Sequence, residues 1–197
     1  MPEDLLLAAA ETATRRQTVA EDSESIREQA SGSYKRTVCS PPRFTLWNSM
    51  SEHKVTLHWG RGGAEFSYQK YPRDHTWSFD GGHTMTASAA PAYLGNPVNV
   101  DPEEAFVASL SSCHMLTFLS IACKQKFVLD EYIDEAIGHM EKNSEGKMAI
   151  TRVELRPKIR WSGDKTPTAE ELDKMHHAAH DNCFIANSVK TEVTVEK

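Results

Sequence analysis

The sequence predicts an α+β protein, in which strands come before, between and after two helices. Three observations support this. Two capping boxes mark helix starts, apolar residues alternate in several short segments, and the order of these segments differs from a regular βαβ repeat. The chain has 197 residues, of which 39% are hydrophobic. This is enough for one sizeable core and a possible extension.

The first part of the chain differs in composition from the rest. Residues 1–49 are rich in Glu, Ser, Thr, Arg and Gln and contain few large apolar residues. Such a segment cannot bury enough apolar surface to fold alone, so we predict a disordered N-terminal extension. The folded domain is expected to span residues 50–197. On this view residues 1–49 are dispensable, or Met50 is the true start.

Strand patterns follow directly. We predict strands over residues 54–59, 64–69, 75–79 and 83–88, with glycine-rich turns at 60–63 and 80–82. Residues 88–100 are rich in Pro, Gly and Asn and are expected to form a loop.

The first helix begins sharply. Asp101 is the expected N-cap, Pro102 takes the first helical position, and Glu104 completes a capping box. The helix should run to about Gln125. Its apolar stretch at residues 105–123 resembles a membrane span, but it contains four serines, a threonine and a histidine. A buried helix of a soluble protein fits this composition better.

A hairpin and a second helix are predicted next. After a link near Asp130, residues 136–142 and 148–161 form the hairpin, and a slip in the apolar phase between Ile150 and Val153 indicates a β-bulge. Thr168 and Glu171 form another capping box. The second helix carries an apolar stripe at helical spacing, and a strand over 189–196 closes the chain. The stripe consists of Leu172, Met175, Ala179 and Cys183.

Charge and targeting signals restrict the function. A net charge of −6 argues against nucleic acid as the main partner. Glu3 and Asp4 stand where a secretory signal carries basic residues, so we expect a cytoplasmic protein with reduced thiols and no membrane partner. Cys113 and Cys183, both at helix sites in such a chain, indicate redox or metal chemistry.

Several motifs together resemble one family. They are Asp101-Pro102-Glu103-Glu104, Ser112-Cys113-His114 ten residues further on, Thr151-Arg-Val-Glu-Leu-Arg-Pro, and Ala-His-Asp-Asn-Cys183-Phe-Ile-Ala-Asn-Ser. They are similar to the OsmC/Ohr family of osmotically inducible and organic hydroperoxide resistance proteins, over roughly residues 55–197. The resemblance implies antiparallel sheets wrapped around two central helices, in an intertwined homodimer.

The resemblance also implies an activity. Family members of this type are thiol-dependent peroxidases that reduce organic hydroperoxides. By position, Cys113 matches the cysteine that attacks the peroxide and becomes a sulfenic acid, and Cys183 matches the one that resolves it to a disulfide. Glu103 matches the glutamate that holds an arginine against the thiolate. A dithiol of the lipoyl type restores the thiols, and no metal or organic cofactor is implied.

The activating arginine follows from local chemistry. A thiolate is the reactive species, and a helix dipole lowers a thiol pKa only within about the first turn. Cys113 lies about three turns into its helix, which has no Lys or Arg before Lys124. We therefore predict a cation from the strand region, Arg73 or alternatively Arg61. Glu103 lies roughly 15 Å from Cys113 along the helix and about 80° around it. A site at the interface of a dimer would bring them together. One chain would supply Glu103 and Arg73, and the other would supply Cys113 and Cys183.

Two alternatives remain open. His176, His180 and Cys183 lie on one side of the second helix, and imidazole and thiolate are zinc ligands, so a zinc-binding module is possible. A sensor or ligand-binding protein on the same fold is the other. Against the metal site, His176 and the neighbouring His177 could simply face water. Four apolar residues of the first helix could line a substrate pocket or be ordinary core, and Cys123 is expected in the core. These four are Phe106, Leu110, Met115 and Phe118.

Overall fold

The computed structural model of the chain describes residues 51–196. The predictions made for residues 1–49, and for Met50 as the start, lie outside the described residues.

The described residues form an α+β fold with eight strands and two α-helices. Short 3-10 turns at Pro91–Tyr93 and Ala186–Ser188 precede α1 and follow α2. In chain order the elements are β1 (Val55–His58), β2 (His75–Phe79), β3 (Thr84–Ala87), α1 (Pro102–Lys124), β4 (Val128–Asp134), β5 (Ile137–Lys142), β6 (Met148–Leu155), β7 (Pro157–Ser162), α2 (Ala169–Asp181) and β8 (Glu192–Val195).

The strands form three small sheets. Their orders are β1-β2-β3, β4-β7 and β5-β6-β8. All pairs are antiparallel except one, because β8 runs parallel to β6. The expectation of purely antiparallel sheets is therefore wrong for this pair. The physical reason is that α2 lies between β7 and β8, and a crossover of this kind can return a strand in the parallel direction.

Local chemistry sets both helix starts, as predicted. The Asp101 carboxylate accepts a hydrogen bond from the Glu104 backbone N–H (2.8 Å), and the Glu104 carboxylate accepts one from the Asp101 N–H (3.2 Å). Thr168 and Glu171 form the same reciprocal pair at the start of α2. Each cap satisfies backbone donors that the helix leaves unpaired and contributes roughly 1 kcal/mol.

Three strand predictions are wrong. Residues 64–69 form no strand; the segment is irregular and ends in a turn, in which the Tyr71 N–H donates to the Ser67 carbonyl. The link expected near Asp130 is β4, whose apolar alternation is broken by a bulge between Leu129 and Glu131. The strand expected over 148–161 is two strands in different sheets. Pro157 has no N–H for a ladder, and the Arg156 N–H donates instead to an Asp134 carboxylate oxygen (2.6 Å).

The bulge predicted in the hairpin is present. Met140 pairs with Ile150 and His139 pairs with Arg152, so Thr151 is the extra residue. This explains why the apolar phase changes between Ile150 and Val153.

Helix α1 is the central helix of the described fold. By length and hydropathy (1.6) it could cross a membrane, but it packs against α2, β4, β5 and β6. Gly138 of β5 lies so close that a Cβ there would come within 2.5 Å of a Val107 methyl. The buried residues of α1 are Leu110, His114, Phe118 and Ala122. The helix was expected to be largely buried, with Cys123 in the core. In the single chain only these four residues of α1 are buried and Cys123 is exposed, so both expectations are wrong. Apolar residues lie all around α1, so the sequence does not indicate its buried face.

Candidate active site

The two predicted thiols meet between the helices. Cys113 is half-buried on α1, and Cys183 is buried just after the end of α2. Neither forms a disulfide, and their side chains are hydrogen bonded to each other. Burial raises the pKa of the Cys183 thiol, and the Cys113 hydrogen bond raises it further. Cys183 is therefore held as a thiol beside Cys113.

The packing of α2 against α1 explains this contact. Met175, Ala179 and Cys183 are all 0–1% exposed, as the apolar stripe predicted. Met175 and Ala179 pack with Phe118 and Ala122 in one core cluster. Cys183 follows the helix cap, where the Ala186 N–H donates to its Sγ (3.4 Å). The stripe thus places Cys183 at the end of the interhelical contact, opposite Cys113.

Three histidines continue the same contact between the helices. His114 is 1% exposed, and its Nε2 lies 3.1 Å from Nδ1 of His176. The two rings are stacked, and His176 also stacks on Phe118 with ring centroids 4.4 Å apart. Burial, followed by the neighbouring His176 and His180, lowers the pKa of His114 to about 4. The expectation that both His176 and His177 face water is correct only for His177, whose side chain is 82% exposed.

The zinc alternative has no geometric support. Within residues 51–196 no group of three or more His, Cys, Asp or Glu side chains could hold a metal ion. Nδ1 of His176 is hydrogen bonded to Nε2 of His114, and Cys183 contacts Cys113. His176, His180 and Cys183 therefore do not converge on one point, although helical spacing places them on one side.

Glu103 and Arg73 lie elsewhere in the chain. Arg73 donates to the carbonyls of Tyr68 and Tyr71, and its guanidinium lies 3.7 Å from the Tyr71 ring centroid. Arg61 donates to the carbonyl of Ala64 (2.8 Å). All of these arginine contacts lie within residues 61–73, and none involves Cys113 or Cys183. In one described chain the structure thus brings together Cys113 and Cys183 only.

Glu103 lines a cavity of about 860 Å³ beside α1. Most of its wall is apolar, and on α1 it includes Ser112 and Met115 but not Cys113. Of the four apolar residues considered above, Met115 lines this cavity, Leu110 and Phe118 are buried core, and Phe106 packs on the Leu110 cluster.

A polar group that links α1, β4 and Arg156 was not predicted from the sequence. The Ser111 hydroxyl donates to one oxygen of Asp134 (2.5 Å), and the Arg156 N–H donates to the other (2.6 Å). Tyr132, on the same strand, has a pKa raised by burial and by Asp134. The bulge in β4 interrupts its apolar alternation, so this strand was not recognised in the sequence. A search for alternation on both sides of a bulge could have identified the strand.

Comparison with known proteins decides the family. The OsmC-like protein family matches residues 95–197. An OsmC-like protein of unknown function from Vibrio cholerae is 54% identical, covers 75% of this chain and 99% of its own, and superposes with a TM-score of 0.72. The chain belongs to the OsmC family. A search of the curated proteins found no match.

More distant OsmC-fold structures carry names that refer to hydroperoxides. An organic hydroperoxide resistance protein OsmC from Legionella pneumophila is 17% identical, with a TM-score of 0.56, and covers 75% of this chain and 96% of its own. The organic hydroperoxide resistance protein OhrB of Bacillus subtilis is 21% identical, with a TM-score of 0.53, covering 75% and 98%. At these identities the likeness establishes the OsmC/Ohr fold alone.

Proposed function

We propose that this protein is a thiol-dependent peroxidase that reduces organic hydroperoxides, with Cys113 as the attacking residue and Cys183 as the resolving one. The observation that carries the proposal is the direct contact of the two thiols between α1 and α2. A sulfenic acid on Cys113 would have a thiol in reach at once. The Cys183 pKa, raised by burial, suits a residue that waits as a thiol until the first step is complete.

The reaction balances without a bound cofactor. The Cys113 thiolate attacks the outer peroxide oxygen, an S–O bond forms, and the O–O bond breaks to release an alkoxide that takes a proton. The Cys183 sulfur then attacks Cys113, an S–S bond forms, and the hydroxyl leaves as water. An external dithiol, by family resemblance of the lipoyl type, exchanges with the disulfide and restores both thiols. Reduced thiols at rest suit a cytoplasmic protein.

The activating cation would come from a second subunit. Arg73 begins the segment that leads into β2, whose sheet leaves large apolar side chains exposed in one chain, among them Val55 (51%), Leu57 (61%) and Trp59 (42%). A contiguous apolar face of this kind favours association. An intertwined homodimer would cover it and would bring Arg73 and Glu103 of one chain to Cys113 and Cys183 of the other.

The cavity beside α1 suits an alkyl or lipid hydroperoxide. Its apolar wall would hold the hydrocarbon part, and its lining includes Glu103, which the proposed dimer would bring to Cys113 of the other chain. The names of the distant relatives are consistent with such a substrate.

The test is peroxide consumption by the full chain with a dithiol reductant. We expect Cys113→Ser to abolish turnover, because a hydroxyl is not a nucleophile of this type at neutral pH. Cys183→Ser should undergo one stoichiometric oxidation and then stop, with Cys113 trapped as a sulfenic acid that mass spectrometry detects after dimedone labelling. Cys123→Ser is the matched control, since Cys123 is on the same helix and should leave turnover unchanged. Undiminished turnover in Cys113→Ser would refute the proposal.

A further inference from the structure

The His114–His176 pair lies next to the thiols but touches neither reacting sulfur in the proposed mechanism. Both rings lie in the contact between α1 and α2, with Nε2 of His114 and Nδ1 of His176 at 3.1 Å. His114 directly follows Cys113 in α1, and His176 stacks on Phe118. Because both pairs join α1 to α2, a change in the packing of one helix on the other would act on both contacts.

Counting hydrogen atoms fixes the protonation states that this pair tolerates. The two ring nitrogens that face each other can share one hydrogen, because two would collide and none would leave two lone pairs opposed. The neutral pair has one further hydrogen, which can sit on Nε2 of His176. A positively charged pair has two further hydrogens, so Nδ1 of His114 must carry one.

That position cannot accommodate an N–H. Nδ1 of His114 is buried and has no hydrogen-bond partner among residues 51–196. A buried donor without an acceptor is destabilising, and burial of the positive charge adds to that cost. The neutral pair also leaves this nitrogen without a partner, but it buries no charge there. The packed arrangement of the helices therefore selects the neutral pair.

The groups that face the pair do not offset this cost. From α2, His180 lies close and lowers the pKa of His114 further, and its own Nδ1 is buried without a partner in the described chain. Asp173 of α2 and Asp134 of β4 raise the pKa of His176, but burial outweighs them and the net shift is downward. From β4, Tyr132 stays protonated and neutral.

We propose that His114 and His176 are positioning residues for the disulfide step, which hold α1 against α2 while they are neutral and release the Cys113–Cys183 contact when they are protonated. This inference rests on the proposed function. The S–S bond forms and the S–O bond breaks as described above; the pair changes only how often the two sulfurs are in reach. Resolution of the sulfenic acid should thus fail in acid before the folded domain does.

Proton linkage gives the direction and size of the pH effect on the packing of α1 against α2. His114 titrates near 4 when packed and near 6.5 when released, so the packed form binds fewer protons. The packed contact is favoured in full above about pH 6.5 and is lost progressively as the pH falls towards about 4. Between neutral pH and about pH 5 the ratio of packed to released helices should fall by roughly 20-fold.

The experiment isolates the second chemical step. Full-length protein is mixed with an excess of tert-butyl hydroperoxide, and the conversion of Cys113 sulfenic acid to the Cys113–Cys183 disulfide is followed by rapid alkylation and mass spectrometry from about pH 7.5 to about pH 5. His114→Gln keeps a side-chain N–H for Nδ1 of His176 but cannot be protonated. The rate of the wild type relative to His114→Gln should fall by up to roughly 20-fold in acid. His177→Gln, which changes the exposed neighbour on α2, should follow the wild type.

Two outcomes separate the two proposals. Equal pH profiles for wild type and His114→Gln, with the disulfide still forming, would overturn this inference alone. Absence of the disulfide in wild type at about pH 7.5 would overturn the proposed function together with it. A second measurement needs no variant. Since coupling is reciprocal, closing the disulfide should lower the pKa of His114 relative to the reduced protein, as followed by NMR of the imidazole, and an unchanged pKa would contradict the inference.

Discussion

Phe118→Ala should lower the free energy of unfolding by about 3–5 kcal/mol, the range expected for removal of a buried aromatic ring. Phe118 is 0% exposed and joins the helix pair to the β4–β7 sheet. Its ring centroid lies 4.4 Å from that of His176, 5.7 Å from that of Tyr132 and 6.2 Å from that of Trp161. Urea unfolding followed by far-UV circular dichroism measures the loss.

The loss is large because the cavity would be closed on every side. Helix α1 and β4 keep their backbone hydrogen bonds, so the neighbours of Phe118 can move in only partly. Met148→Ala is the control, since Met148 starts β6 at 55% exposure and should change stability by less than about 0.5 kcal/mol. If Phe118→Ala cost no more than Met148→Ala, the assignment of Phe118 as the link between helices and sheet would be wrong.

Helix boundaries could be predicted from the sequence because their causes are local. Asp101 and Glu104, like Thr168 and Glu171, exchange hydrogen bonds within four residues, so each capping box is visible without knowledge of the fold. The Thr151 bulge could be predicted for the same reason, since one extra residue shifts the alternation of its own strand.

Strand partners could not be predicted, because pairing depends on distant residues. The apolar alternation continues through Arg156, which suggested one long strand. The Arg156 N–H instead donates to Asp134, which lies over twenty positions earlier in the chain. Pro157 then pairs with β4, in a different sheet. The parallel pairing of β8 with β6 likewise depends on the path of α2 between them, and no pattern inside β8 carries that information.

The site was predictable in part. The contact of Cys113 with Cys183 was expected from the family resemblance and from the stripe on α2. The hydrogen bond between His114 and His176 was not, because it depends on how two helices are aligned against each other. Spacing within α2 alone suggested that His176 would join His180 in binding a metal, whereas the partner that it finds is on α1.

Coexpression of Arg73→Ala and Cys113→Ser chains should restore about a quarter of the wild-type peroxidase activity, although each variant alone is expected to be inactive. Random pairing makes about half of the dimers mixed, and each mixed dimer contains one intact site of its two. This site would combine Arg73 and Glu103 of the Cys113→Ser chain with Cys113 and Cys183 of the Arg73→Ala chain. Separate affinity tags isolate the mixed dimers, whose hydroperoxide consumption per dimer should then be about half that of the wild type.

A second mixture tests which groups each chain supplies. The Cys113–Cys183 contact occurs within one chain, so Cys113→Ser and Cys183→Ser chains should not complement each other: neither member of the mixed dimer contains both thiols. Glu103→Gln with Arg73→Ala should also fail, because one chain is expected to supply both residues to a site. Restored activity in the first mixture and none in these two would assign the thiols to one subunit and the cation with its carboxylate to the other. No restoration in the first mixture would place Arg73 and Cys113 of each site in the same chain, and a cation within that chain would then have to activate the thiol.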